Sequence, residues 1–65
     1  MIEVKVCIRE MRLRKGLSLV ELAEKSGVSK THIADIETGK KIPGLQVLCQ
    51  LADALGVDAR DLFTY

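Results

Sequence analysis

SLVELAEKSGVSKTHIADIETGK, residues 18–40, holds two helix-sized segments with a glycine between them. Ser18 stands three residues before Glu21, the Ser-x-x-Glu arrangement in which each side chain satisfies the other residue's backbone amide at a helix start. Leu19, Leu22 and Ala23 then recur at helical spacing. Gly27 ends this run, since glycine enters left-handed backbone without a Cβ clash. Val28 follows as a core residue and Ser29 caps a further helix. Ile33 and Ile36 form the apolar side of that helix, and Gly39 closes it. Ala23 is small enough for another helix to come close, and Val28, Ile33 and Ile36 are placed to pack against Leu22. The spacing predicts a helix-turn-helix, with a short turn holding two helices at a steep angle.

The outer face of the second of these helices carries the functional question. On a wheel of 100° per residue, Thr31, Asp35 and Thr38 fall within about 40° of the side opposite Ile33. Ala34 lies at the edge of that group and His32 on the flank, where it reads as a rim residue. Small polar side chains let a helix sink into the DNA major groove. Lys30 can reach guanine O6/N7 or a phosphate, and Thr31 a base edge or a thymine methyl. Asp35 is the odd member: a carboxylate there faces phosphates, and it is tolerable if it accepts from cytosine N4 or orients a neighbour.

Outward from this unit, IEVKV (residues 2–6) alternates apolar and β-branched residues with polar ones, as a short strand or an extended lead-in. Helical spacing begins near Cys7, with Ile8 and Met11 on one side and Gly16 at the stop. After the KKIPG loop a helix is expected over residues 45–55, with Leu45, Leu48, Leu51, Ala52 and Leu55 inside and Gly56 as terminator. Asp58 then caps a last short turn carrying Leu62 and Phe63, counted as the fifth helix. The expected architecture is all-α: five short helices in one domain spanning residues 1–65, with a possible N-terminal strand.

Composition narrows the partners. Apolar residues make up 48% of the 65, so the chain should fold, yet so small a core is marginal alone and gains from oligomerisation. Net charge is only +1, but residues 12–41 hold seven basic side chains against four acidic ones, while residues 42–65 hold one against three. A polyanion is expected to meet the middle of the chain. Cys7 and Cys49 lie far apart and lack a C-x-x-C spacing, so buried or half-buried free thiols in a reducing cytoplasm are expected, without a disulfide or a metal site. No apolar run approaches a membrane span, and the start lacks a signal-peptide core. No glycine-rich phosphate loop or acid/base constellation points to an enzyme, a cofactor or a small-molecule substrate. RNA and single-strand binders want stacking aromatics that the basic region lacks.

Residues 18–40 resemble the helix-turn-helix of phage Cro/CI-type repressors, the XRE family, and the likeness continues through IPGLQVLCQLADALGVDARDLF. Leu22, Ala23, Gly27, Val28, Ile33, Ile36 and Gly39 stand where the framework residues of that family stand. The resemblance implies a compact five-helix, lambda-repressor-like domain that regulates transcription as a dimer on a two-fold symmetric operator, in a prokaryotic or phage setting. By the same match, base-reading positions fall on Lys30, Thr31 and Asp35, with Ala34 beside them. Phosphate contacts fall on Ser18, Ser29, Thr38, Lys40 and Lys41. An ion pair between Arg12 and Glu37, both on helix margins, ties the first helix to the third. Three positions depart from the pattern: Leu19 replaces a frequent phosphate-touching glutamine, Ser26 fills an apolar slot, and Gly44 replaces a hydroxyl cap.

One short helix makes too few contacts for tight, specific binding, so a second copy is expected. Leu62, Phe63 and Tyr65 are the leading dimer candidates, with Leu45 and Cys49 beside them; the alternative is that Leu62 and Phe63 only seal a small core. The edge of IEVKV and the outward Leu13 are alternatives. A different function class, an antitoxin- or adaptor-like protein-interaction module with weak or no DNA binding, fits Asp35, Leu19 and the near-neutral charge. Salt dependence of duplex binding separates the two.

Overall fold

Two residues of strand at each end of the chain close a layer of four helices. The computed structural model describes residues 4–65. In chain order these are β1 (Lys5–Val6), α1 (Ile8–Arg14), α2 (Leu19–Ser26), α3 (Lys30–Glu37), α4 (Leu45–Leu55), a single 3₁₀ turn (Ala59–Leu62) and β2 (Phe63–Thr64). Ile2 and Glu3 of the IEVKV stretch lie outside the described residues.

The caps form as their spacing requires. Ser18 Oγ accepts the Glu21 N–H at 3.1 Å, and Glu21 Oε1 accepts the Ser18 N–H at 3.0 Å, a complete reciprocal box at the start of α2. The Ser18 amide holds the Glu21 carboxyl below its ordinary range. Ser29 Oγ accepts the His32 N–H at 3.1 Å and starts α3. Between them Gly27 sits at φ +75°, and its N–H reaches Ala23 O at 2.9 Å. A Cβ there meets nothing within 4 Å, so the position needs glycine for its backbone angle and not for space. Ser26 is buried in its apolar slot, and its hydroxyl accepts the Val28 N–H at 3.1 Å. That bond supplies the turn with an acceptor an aliphatic residue would lack.

The core is aliphatic. Ile8, Leu22, Ile33, Leu51 and Leu62 are fully enclosed, with Val28, Ile36, Leu48, Ala52 and Leu55 around them. Every element from α1 to the 3₁₀ turn contributes to this one cluster. Among the described residues no helix is long and apolar enough to cross a membrane.

Three expectations need correction. The fifth helix is not an α-helix. Residues 59–62 form one 3₁₀ turn capped by Asp58, whose carboxylate accepts the Arg60 N–H at 3.0 Å. Four residues are too few to propagate an α-helix, and the chain then extends to pair with β1, antiparallel, with Lys5 opposite Thr64 and Val6 opposite Phe63. The fold is therefore mostly helical with a two-stranded ribbon, and not all-α. Leu62 was expected at a dimer surface. It is instead sealed in the core, and its carbonyl accepts the Cys7 N–H at 2.7 Å, stitching the two ends of the chain together. Leu45 was expected inside but is 81% exposed, because it is the first residue of α4, where the helix overhangs the cluster.

Candidate nucleic-acid interface

The position of α3 is set from its inner margin. Arg12 Nε donates to Glu37 Oε2 at 2.8 Å and Arg12 Nη2 to Glu37 Oε1 at 3.1 Å, a two-bond fork between α1 and α3. Arg12 Nη1 also donates to Leu17 O at 2.9 Å, which ties in the entry to α2. The two side chains are only 11% and 7% exposed. The Glu37 hydrogen bond raises the Arg12 pKa above its ordinary value against the opposing effect of burial. A buried fork of this kind fixes the rotation of α3 as well as its distance, because both carboxylate oxygens are committed.

With that rotation fixed, the outer face of α3 can be described. Lys30, Thr31 and Thr38 are exposed, while Ala34, Asp35 and the flanking His32 are half-buried. Ser18, Ser29, Lys40 and Lys41 are all exposed. The hydroxyl oxygens of Ser18 and Ser29 accept backbone amides, so the hydroxyl protons stay available to donate to an incoming anion. Thr38 differs: its Oγ1 donates to Ala34 O at 3.0 Å and sits 3.3 Å from Asp35 O. Its proton is spent on the last turn of α3.

The loop after α3 folds back onto the helix it leaves. Gly39 lies at φ +83°, and the N–H groups of Lys40 and Lys41 both donate to Asp35 O, at 2.8 and 3.2 Å. This brings Lys41 Nζ to 3.8 Å from Asp35 Oδ2. The basic loop and the Asp35 carboxylate therefore share one end of the molecule. Spacing alone did not reveal this pair, because five residues, among them the left-handed Gly39, separate its members. The one signal was the αL-type stop at Gly39, which returns the chain toward the last helical turn.

A second residue that sequence patterns left unused is Arg9. It lines a groove with Arg12, Leu19, Ala34, Glu37 and Thr38, between α1 and the outer face of α3. Leu19 thus brings an apolar side chain where a polar one is frequent in the resembling family. On another side of the molecule Val4, Val6, Ile42, Pro43, Leu45, Leu48 and Phe63 line an almost wholly apolar groove beside the β-ribbon. Ile42 is 87% exposed there, and Tyr65 is as open. Leu13 is exposed on α1. Cys7 is a half-buried free thiol as expected, whereas Cys49, expected at least half-buried, is exposed on α4. Among the described residues no three histidine, cysteine or carboxylate side chains converge as a metal site would need.

Comparison with known proteins bears on this surface. Residues 8–62 match the helix-turn-helix family HTH_3. The chain is 34% identical over 61 residues to the HTH-type transcriptional regulator DdrOP3 of Deinococcus deserti, covering 91% of this chain and 47% of that protein. It is 40% identical over 50 residues to the immunity repressor protein of Bacillus phage phi105, covering 77% and 35%. The chain thus spans less than half the length of either relative. Among solved structures it is similar to the restriction-modification controller protein C.AhdI of Aeromonas hydrophila, with a TM-score of 0.80 and 35% identity over 83% of this chain and 82% of that one.

Proposed function

The chain belongs to the HTH_3 family of XRE-type helix-turn-helix regulators, and from that premise we propose that it binds double-stranded DNA sequence-specifically with α3 in the major groove. The observation that carries the reading is the union, at one end of the molecule, of an outward α3 face and the basic loop that follows it. Lys30, Thr31, Ala34 and Asp35 meet base edges. Ser18 and Ser29 donate to phosphates from two helix starts, where the backbone amides also favour an anion. Lys40 and Lys41 add charge, and Thr38 contributes once its bond to Ala34 O opens. Arg9 joins them from α1.

The functional unit is a homodimer on a two-fold symmetric operator, with half-sites about 34–36 Å apart. Its interface is the apolar groove of Val4, Ile42, Leu45 and Phe63, since three of the large exposed apolar side chains, Val4, Ile42 and Leu45, meet there next to the α3–α4 loop. The protein acts as a transcriptional regulator in the cytoplasm of a prokaryote or in a phage-infected cell. It uses no cofactor and turns over no small molecule.

Selection from random duplex oligonucleotides tests the reading. It should enrich a palindrome of two half-sites one helical turn apart. Recovery of no sequence, with binding to random duplex that ignores salt, favours the protein-interaction module instead, for which Asp35 and Leu19 on this face are the supporting features. For the dimer, the double variant Ile42→Ser, Leu45→Ser should sediment as a monomer at concentrations where the parent chain is dimeric. A parent chain that is monomeric on DNA at every concentration contradicts the dimer.

A further inference from the structure

A carboxylate on a face that meets DNA demands compensation, and here the compensating group is also a candidate phosphate contact. We propose that Lys41 is a switched side chain: it pairs with Asp35 or with the DNA backbone, and the base opposite Asp35 decides which. This rests on the DNA-binding reading above and adds to it how base and backbone recognition are coupled.

The geometry suits a switch better than a clamp. The Nζ–Oδ2 separation of 3.8 Å is too long for a hydrogen bond, so the attraction is Coulombic and weak in water. The Lys41 side chain is 60% exposed and free to swing, whereas Asp35 is only 24% exposed and stays on the helix. The Lys41 backbone does not move with its side chain, because its own N–H and that of Lys40 are bonded to Asp35 O. The ammonium therefore pivots about a fixed point between two anions, a carboxylate and a phosphate.

The base supplies the choice. Cytosine presents an N4 amino donor in the major groove, and the Asp35 carboxylate can accept it. That donor replaces the ammonium, and Lys41 is released to a phosphate. Guanine O6 and N7 and thymine O4 present acceptors alone, which repel the carboxylate, and adenine sets its N7 acceptor beside its N6 amino donor, which weakens any bond the carboxylate makes there. On such sites Lys41 stays with Asp35 and one phosphate goes unneutralised. Cytosine opposite Asp35 should thus add one ionic contact to the complex, and each such contact adds about 0.9 to the salt slope of binding.

The test uses the chain on its selected duplex and on duplexes changed only at the base pair whose preference Asp35→Asn alters. Binding is measured from ~50 to ~200 mM salt. The preference for cytosine should shrink about threefold across that range, the consequence of a slope difference near ~0.9. In Lys41→Gln the preference should no longer vary with salt, because the slope falls on the cytosine duplex alone. In Asp35→Asn, Lys41 is free on every duplex, so all slopes should be equally steep. A salt-independent preference in the parent chain overturns the switch while leaving the DNA-binding reading intact. So does an equal loss of slope on all duplexes in Lys41→Gln, which would make Lys41 an ordinary phosphate contact. Absence of binding to any duplex overturns both readings together.

Discussion

Two ion pairs flank the last turn of α3, and they are built to opposite specifications. On the inner margin Arg12 and Glu37 make two short bonds and are nearly closed to water. On the outer margin Lys41 and Asp35 stand 3.8 Å apart and remain in reach of solvent. The charges are alike, but burial decides what each pair does. A buried fork holds the helix in place, because either charge left alone in the core is costly. An exposed pair contributes little to folding, and for that reason its members are free to take other partners. The helix is anchored on one side and responsive on the other.

The contrast breaks most visibly if the inner pair is cut. Glu37→Ala leaves the Arg12 guanidinium buried without its partner and should cost about 3 kcal/mol of stability. Urea unfolding checks this; a cost below about 1 kcal/mol would mean the seam is wetter than its exposure indicates. The outer pair should behave differently. Asp35→Ala should leave stability within about 0.5 kcal/mol of the parent, while changing base preference at one position of each half-site and leaving general affinity equal or higher. A uniform loss of affinity across all sequences would contradict this role.

The bend that sets the pitch of α3 falls between these two pairs in its cost. Gly27→Ala meets no steric neighbour, so its penalty is that of placing a Cβ at φ +75°, about 1 kcal/mol. Unfolding curves that show no loss would mean the turn can relax, and α3 would then be less firmly pitched than the inner fork requires.

The smallest effect is acid sensitivity from exposed carboxylates, which sharpens the comparison by resembling the outer pair. Arg60 lowers the Asp58 pKa from an ordinary 3.8 to about 2, and the Ser18 amide lowers Glu21 from 4.5. Both folded values lie below the unfolded ones. Their stabilising contribution is therefore complete above pH 4.5 and is lost as pH falls toward the folded values. Both groups are open to solvent, so the decline should be gentle. Asp58→Asn should flatten part of it in unfolding midpoints taken between pH 5 and pH 2, and an unchanged decline would dissociate Asp58 from it.

Local signals made the centre of this molecule legible. Ser18 and Glu21 read as a box, Gly27 as a left-handed stop, Ser29 as a cap, and Leu22, Ile33 and Ile36 as one apolar seam, because each depends on neighbours within four residues. Arg12 and Glu37 lay on helix margins, but only the family resemblance joined them across 25 residues. The ends were harder. Pairing of Lys5–Val6 with Phe63–Thr64 is a contact between opposite ends of the chain, and nothing in DARDL says that it stops after one turn. Leu62 could be read as a dimer contact or as a seal on the core, and it is the second, fully enclosed where the strand pairing begins. Leu45 fitted the inward spacing of α4, yet the first turn of that helix overhangs the core. The Asp35–Lys41 pair needed the path of a loop, which spacing does not supply.

The claim on which the rest depends is that the outer face of α3, with its returning loop, is the surface that meets DNA. Amide resonance mapping during titration with the selected duplex tests it directly. The account predicts the largest shifts at Lys30, Thr31, Ala34, Asp35, Lys40 and Lys41, with Ser18 and Ser29 following. Shifts that gather instead around Ile42, Leu45 and Tyr65 while residues 30–41 stay unmoved would contradict it.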